Sequence, residues 1–257
     1  MALIAPALLA ADFARLGEAL RIVEAAGARR IHIDVADGHF AQELTVGQPV
    51  FESIRKATRL ELDLHLLIER PERYVSDFAG AKRIAVHPES TPQIHRVLDV
   101  VRRQGIQPGV SLMPGTPLDS VADVLDEVDF VSVLAADPVF GPDFEPGFED
   151  VPDLAAGARD PSQRRASLGP SLLGLRKVRQ AARMREDRGL GFEIQVEGGL
   201  RVEHLQEWAA AGADILVGGF AIFDTDDPAA RLKDLIRRAE ACSSGEASRN
   251  LKTGSNP

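Results

Sequence analysis

Eight short apolar runs, separated almost from end to end by segments of helical periodicity, limit what this chain can fold into more than any other feature. The runs are Leu3–Leu8, Arg30–Val35, Leu60–Leu66, Arg83–His87, Gln107–Met113, Asp129–Leu134, Phe192–Glu197 and Asp214–Gly218. Between most of them apolar residues recur at i, i+3 and i+4, as in Phe13–Ala26, Thr91–Arg103 and Val202–Ala211, the spacing of helices buried along one face. Strands that are apolar almost throughout and joined by helices run parallel and are covered on both sides. A small motif repeats at the junctions: Ala26-Gly27-Ala28 precedes Ile31, Gly80-Ala81 precedes Ile84, and Gly212-Ala213 precedes Ile215. Each glycine suits the left-handed position that ends a helix and turns the chain into the next strand. About eight βα units predict an α/β chain folded as a single-domain (β/α)8 TIM barrel; a doubly wound open sheet is the alternative.

Two stretches break the pattern. Residues 137–170, after the sixth strand, are rich in Pro, Gly, Asp and Arg and are long for a βα connection. They read equally as a floppy insertion or as a lid on the catalytic face. Residues 242–257 form a polar, aperiodic tail expected to be disordered, which leaves 1–241 for the barrel. The 257 residues carry a formal charge of −9, which argues against attraction to nucleic acid or an anionic membrane. A single cysteine, Cys242, excludes an internal disulfide framework. No apolar run approaches the roughly 18 residues that cross a bilayer. The apolar start, Met1–Ala14, lacks a basic leader and is cut by Pro6 and Asp12, so the expected location is the cytoplasm.

The chemistry-bearing residues follow period two. In Ile31-His32-Ile33-Asp34-Val35, alternation puts His32 and Asp34 on one face and the apolar residues on the other. The next strand repeats the device with Asp63 and His65 against Leu62 and Leu64. In the seventh strand Phe192, Ile194 and Val196 alternate with Glu193, Gln195 and Glu197. In a barrel, His32, Asp34, His65 and Glu197 would meet at the mouth and offer nitrogen and oxygen donors suited to zinc, iron(II), manganese or cobalt. The other reading is a polar plug held by mutual hydrogen bonds. His39, His87, His95 and His204 receive no role; His87, at the end of the fourth strand, is read as core or loop packing, with contact to substrate as the alternative.

Several motifs together resemble the ribulose-phosphate 3-epimerase family. They are Ile4-Ala5-Pro6 with Ala11-Asp12-Phe13, His32-Ile33-Asp34-Val35 with Asp37-Gly38-His39-Phe40, and Leu44-Thr45-Val46-Gly47. Asp63-Leu64-His65-Leu66, Pro114-Gly115-Thr116-Pro117-Leu118 and Gly198-Gly199 complete the set, and the likeness runs from Ile4 to Arg238 apart from the insertion. The resemblance implies a barrel that binds one divalent metal ion through His32, Asp34, His65 and Glu197. It also implies that Asp34 and Glu197 are the catalytic acids, exchanging protons on opposite faces of a substrate beside its ketone. A sugar or sugar phosphate is the implied partner, and a homo-oligomer the implied assembly.

The departures from the family cluster around the substrate. Glu197 stands where the family usually has Asp, and Ala7 where it has Ser. Ala36, Leu67 and Leu134 replace methionines of the metal pocket. The phosphate-gripping Gly-Phe-Gly-Gly turn reads Val139-Phe140-Gly141-Pro142, and Pro142 has no N–H to donate. Gly219-Phe220 replaces Gly-Ser. Gly141, Gly198, Gly199, Gly219 and Phe220 are the residues expected around substrate or phosphate, with Arg159, Arg164 and Arg165 of the insertion as a lid. Three readings remain: an epimerase of ribulose 5-phosphate and xylulose 5-phosphate, the same chemistry on a larger or non-phosphorylated substrate, and a barrel that binds without turnover.

Overall fold

Each apolar run forms a strand. The computed structural model describes residues 2–136 and 172–243. Its strands are β1 (Leu3–Pro6), β2 (Arg30–Ala36), β3 (Glu61–Leu67), β4 (Arg83–Val86), β5 (Gln107–Leu112), β6 (Phe130–Leu134), β7 (Glu193–Glu197) and β8 (Ile215–Gly218). They pair in parallel in the order β1-β8-β7-β6-β5-β4-β3-β2. A parallel bridge between Ala7 and His32 links the two ends, so the sheet is a nearly closed barrel and the open doubly wound sheet does not apply.

The helices are α1 (Leu16–Ala25), α2 (Gln48–Ala57), α3 (Ile94–Arg103), α4 (Leu172–Asp187), α5 (Leu205–Ala211), α6 (Phe220–Phe223) and α7 (Pro228–Ser243). Two connections use 3₁₀ turns in place of a full helix. Between β3 and β4 lie Pro71–Arg73 and Val75–Phe78, and before β6 lies Leu118–Val124. In the latter, Leu118, Val121 and Val124 are buried; a spacing of three stacks them on one side of a three-residue turn. The recurrent junction glycines are left-handed as expected, with φ of 94° at Gly27, 95° at Gly80 and 107° at Gly212. Gly80, however, follows a 3₁₀ turn and not an α-helix. Among the described residues no helix is long and apolar enough to cross a membrane. The insertion at 137–170, with Gly141, Arg159, Arg164 and Arg165, and the tail beyond Ser243 lie outside the described residues.

The main hydrophobic core fills the layer between strands and helices, with Ile31, Ile33, Leu64, Ile84, Val110, Val131 and Ile194 meeting Leu20, Val97, Val178 and Leu232. The inward side is different. It buries Arg30, His32, Asp34, Asp63, His65, Arg83, His87, Ser111, Ser132, Gln195 and Glu197. At one end of the barrel Arg30 pairs with Glu61 at 2.8 Å, and Arg83 with Glu193 at 2.8 Å. The Arg83 guanidinium also lies 3.4 Å from the centre of the Phe130 ring. Glycine is required at position 109, because a Cβ there would stand 2.3 Å from that ring.

Candidate active site

Register carries the alternation of β2 and β3 into three dimensions. His32 lies opposite Asp63 and Asp34 opposite His65, so all four side chains enter the barrel as one patch. Glu197, the last residue of β7, reaches the same patch from the far wall. His32 Nε2 lies 3.3 Å from Asp34 Oδ1 and 3.4 Å from Glu197 Oε2. His65 Nδ1 lies 3.2 Å from Asp34 Oδ1 and 2.9 Å from Glu197 Oε2. One donor atom from each of the four lies within 4.8 Å of the others, and all four residues are buried.

The remaining polar atoms of His32, His65 and Glu197 are engaged elsewhere. His32 Nδ1–H donates to Asp63 Oδ2 at 2.9 Å. Asp63 in turn sits 3.3 Å from Arg83 Nε, so a charged chain at the barrel base sets the ring angle of His32. Glu197 Oε1 accepts from the Ser132 hydroxyl and, at 2.9 Å, from the Gln195 amide. His65 Nε2 faces His87 Nε2 at 2.7 Å. The loop after β2 is tied down by Asp37, whose carboxylate accepts from the backbone N–H groups of His39, Phe40 and Glu69. Thr45 adds a second tie by donating to the Asp34 carbonyl at 2.8 Å.

Electrostatics follow from that geometry. Burial presses the His65 ring toward its neutral form, but Glu197 and Asp34 outweigh burial and raise its pKa to about 9. His32 is raised well above its ordinary value for the same reasons. Burial pushes Asp34 and Glu197 up, yet the two imidazoles beside them hold both carboxyls below their usual range, Glu197 far below. Asp63 is lowered as well, because Arg83 overcomes its burial. His87 moves the other way, pushed down to about 4 chiefly by burial. The quartet fits a divalent cation on donor chemistry: two imidazole nitrogens and two ionised carboxylates face one point, while the outward atoms of His32, His65 and Glu197 are already satisfied.

The other expected residues divide. Gly198 and Gly199 follow β7 with φ of 88° and 69°. Gly219 immediately precedes α6, and Phe220, its first residue, is 48% exposed. Gly141 and the three arginines of the insertion are not among the described residues. Ala36 and Leu67 pack with Ala41, Phe40 and Met113 into a small apolar cluster inside the barrel, separate from the main core. Sequence reasoning missed Ser132, His87 and Glu89, and gave Asp63 no role. The signal for His87 was present: Arg83, Ala85 and His87 continue the inward period of two past the end of β4. Ser132 could be found only from its register opposite Gln195.

A model of the Ribulose-phosphate 3 epimerase family matches residues 3–148 and 170–223. Ribulose-phosphate 3-epimerase of Bacillus subtilis is 36% identical over 227 residues, covering 87% of this chain and 93% of that protein. The Escherichia coli K12 enzyme of the same name is 36% identical over 228 residues, 88% of this chain and 90% of its own. That of Mycobacterium tuberculosis H37Rv is 35% identical over 243 residues, 94% of each. Among solved structures, KGPDC from Streptococcus mutans superposes with a TM-score of 0.61 at 18% identity, over 93% of this chain and 99% of that one. A mutant tryptophan synthase α-subunit from Pyrococcus furiosus gives 0.59 at 14% identity, over 93% and 97%. At such identities these structures bear on the fold alone, and that fold is the barrel. The sequence relatives go further: the chain belongs to the ribulose-phosphate 3-epimerase family of isomerases.

Proposed function

We propose that this chain is a metal-dependent epimerase that inverts the carbon beside the ketone of a sugar phosphate, interconverting ribulose 5-phosphate and xylulose 5-phosphate. The observation that carries the reading is the buried quartet of His32, Asp34, His65 and Glu197, in which two carboxylates from different walls of the barrel face one point. A hydrogen beside a ketone is only weakly acidic, so its removal needs a positioned base and stabilisation of the oxyanion that develops. His32, Asp34, His65 and Glu197 would hold a divalent ion, which would supply that stabilisation without a proton of its own. Asp34, on β2, takes or returns the proton on one face of the substrate. Glu197, on β7, does the reverse on the other. Ser132 and Gln195 hold one Glu197 oxygen and leave the second, Oε2, facing the imidazoles of His32 and His65, which lets a side chain one methylene longer than Asp keep a defined position. Gly198, Gly199 and Gly219 line the phosphate end of the substrate.

A second reading keeps the proton chemistry and changes the substrate to a larger or non-phosphorylated one. Phe220 favours it, because a half-exposed ring stands where the resemblance implies a small hydroxyl residue. Solvent exchange separates the two. Ribulose 5-phosphate is incubated with the protein in heavy water, and loss of the C3 hydrogen is followed by proton NMR with and without chelator. The expected result is exchange that chelator abolishes and added manganese or cobalt restores. Metal-loaded protein without exchange supports the other substrate class. Protein that neither binds a divalent ion nor exchanges contradicts both readings and leaves a barrel that only binds.

A further inference from the structure

His87 is buried, titratable and unused by the chemistry above, yet it sits against the quartet. Its ring centre is 4.9 Å from that of His65 and 5.0 Å from that of Phe40. The two Nε2 atoms are 2.7 Å apart, so one donates a proton to the other. The far side of His87 decides which. His87 Nδ1 lies 3.3 Å from Glu89 Oε2, and a carboxylate oxygen accepts, so Nδ1 carries the hydrogen. Glu89 is itself fixed as an acceptor: its other oxygen takes the Met113 backbone N–H at 3.1 Å and the Thr116 hydroxyl. Lys177 holds the same loop by donating to the carbonyls of Met113, at 2.7 Å, and Pro114, at 3.1 Å. A ring with its hydrogen on Nδ1 presents a bare Nε2, so the hydrogen between the rings belongs to His65. His65 Nδ1 then turns its lone pair toward Asp34 and Glu197 whenever a cation takes the place of a proton there.

We infer that His87 and Glu89 are a positioning pair that holds His65 as the Nε2–H tautomer and so keeps its Nδ1 available to a divalent cation. The inference rests on the metal-centre reading and gives it an asymmetry. His32 donates from Nδ1 to Asp63 and offers Nε2, whereas His65 donates from Nε2 to His87 and offers Nδ1. Outward partners of this kind fix the tautomer and orientation of a metal-bound imidazole, and their loss costs about 10–100-fold in metal affinity.

The test uses the full chain, zinc as the probe, and three proteins: wild type, His87→Phe and His87→Gln. Phe keeps a flat ring but removes both nitrogens; Gln keeps an oxygen to accept from His65 and an amide to donate to Glu89. Zinc affinity measured by competition with a chelating dye is expected to fall about 10–100-fold in His87→Phe and to recover to within about threefold of wild type in His87→Gln. Long-range proton–nitrogen NMR of zinc-loaded wild type is expected to show hydrogen on His65 Nε2 and metal on Nδ1. Zinc binding by His87→Phe with wild-type affinity, or a His65 ring protonated on Nδ1 in the loaded wild type, overturns the positioning pair and leaves the metal centre standing. If His87→Phe does not fold, the wild-type tautomer alone decides. Wild type that binds no zinc overturns the metal centre itself, and the pair with it.

Discussion

Asp34→Asn and Glu197→Gln are each expected to lower turnover by about 10³-fold or more while leaving the fold intact. An amide is nearly isosteric with the carboxyl it replaces, but it cannot take a proton from carbon or return one, and a positioned acid or base contributes about 10²–10⁴-fold by itself. Both residues also face the proposed cation, so the loss of a ligand adds to the loss of the base. Glu197→Gln keeps an acceptor at Oε1 for Ser132 and Gln195, and the strand should therefore be undisturbed. Turnover with ribulose 5-phosphate, circular dichroism and metal content, read on the same samples, check the prediction. Near-normal turnover in either variant removes that residue from the proton-transfer pair.

The second large effect is on stability. Arg83→Leu is expected to cost about 3–5 kcal/mol, the range for removing one partner of a buried ion pair. In a chain of this size that lowers Tm by roughly 10 °C. Arg83 is fully buried, reaches both Asp63 and Glu193, and lies over the Phe130 ring. Leucine fills part of the volume but removes the guanidinium from the buried Asp63 carboxylate, which keeps only His32. Because Asp63 also orients His32, divalent-ion affinity should fall together with stability. Thermal unfolding of the metal-free proteins measures the first effect without interference from the second. A change in Tm of less than about 2 °C would show that the barrel base does not depend on this pair.

Much of this was legible in the sequence because the relevant signals are local. The parallel barrel follows from apolar runs and helical spacing, and most observed strand ends fall within a residue or two of the expected ones. The helical spacing begins a few residues before the helices themselves do. The pattern at Phe13–Ala26 becomes a 3₁₀ turn capped by the Asp12 side chain before α1 begins at Leu16. That at Thr91–Arg103 becomes helical only from Ile94. Period-two alternation singled out His32, Asp34, His65 and Glu197, and register then brought them together. Their supports were not legible, because each depends on a contact between different strands: Ser132 with Glu197 over 65 residues, His65 with His87 over 22, and Arg83 with Glu193 over 110. An inward serine or arginine on one strand carries no local mark of what it will meet on another.

In the function proposed above, four side chains from three strands surround a single cation. A crystal structure of the purified protein, with anomalous scattering recorded across the absorption edges of zinc, iron, manganese and cobalt, tests it most directly. One anomalous peak per chain is expected, bounded by His32 Nε2, Asp34, His65 Nδ1 and Glu197. Absence of any peak there, with Glu197 turned toward other partners, would contradict it.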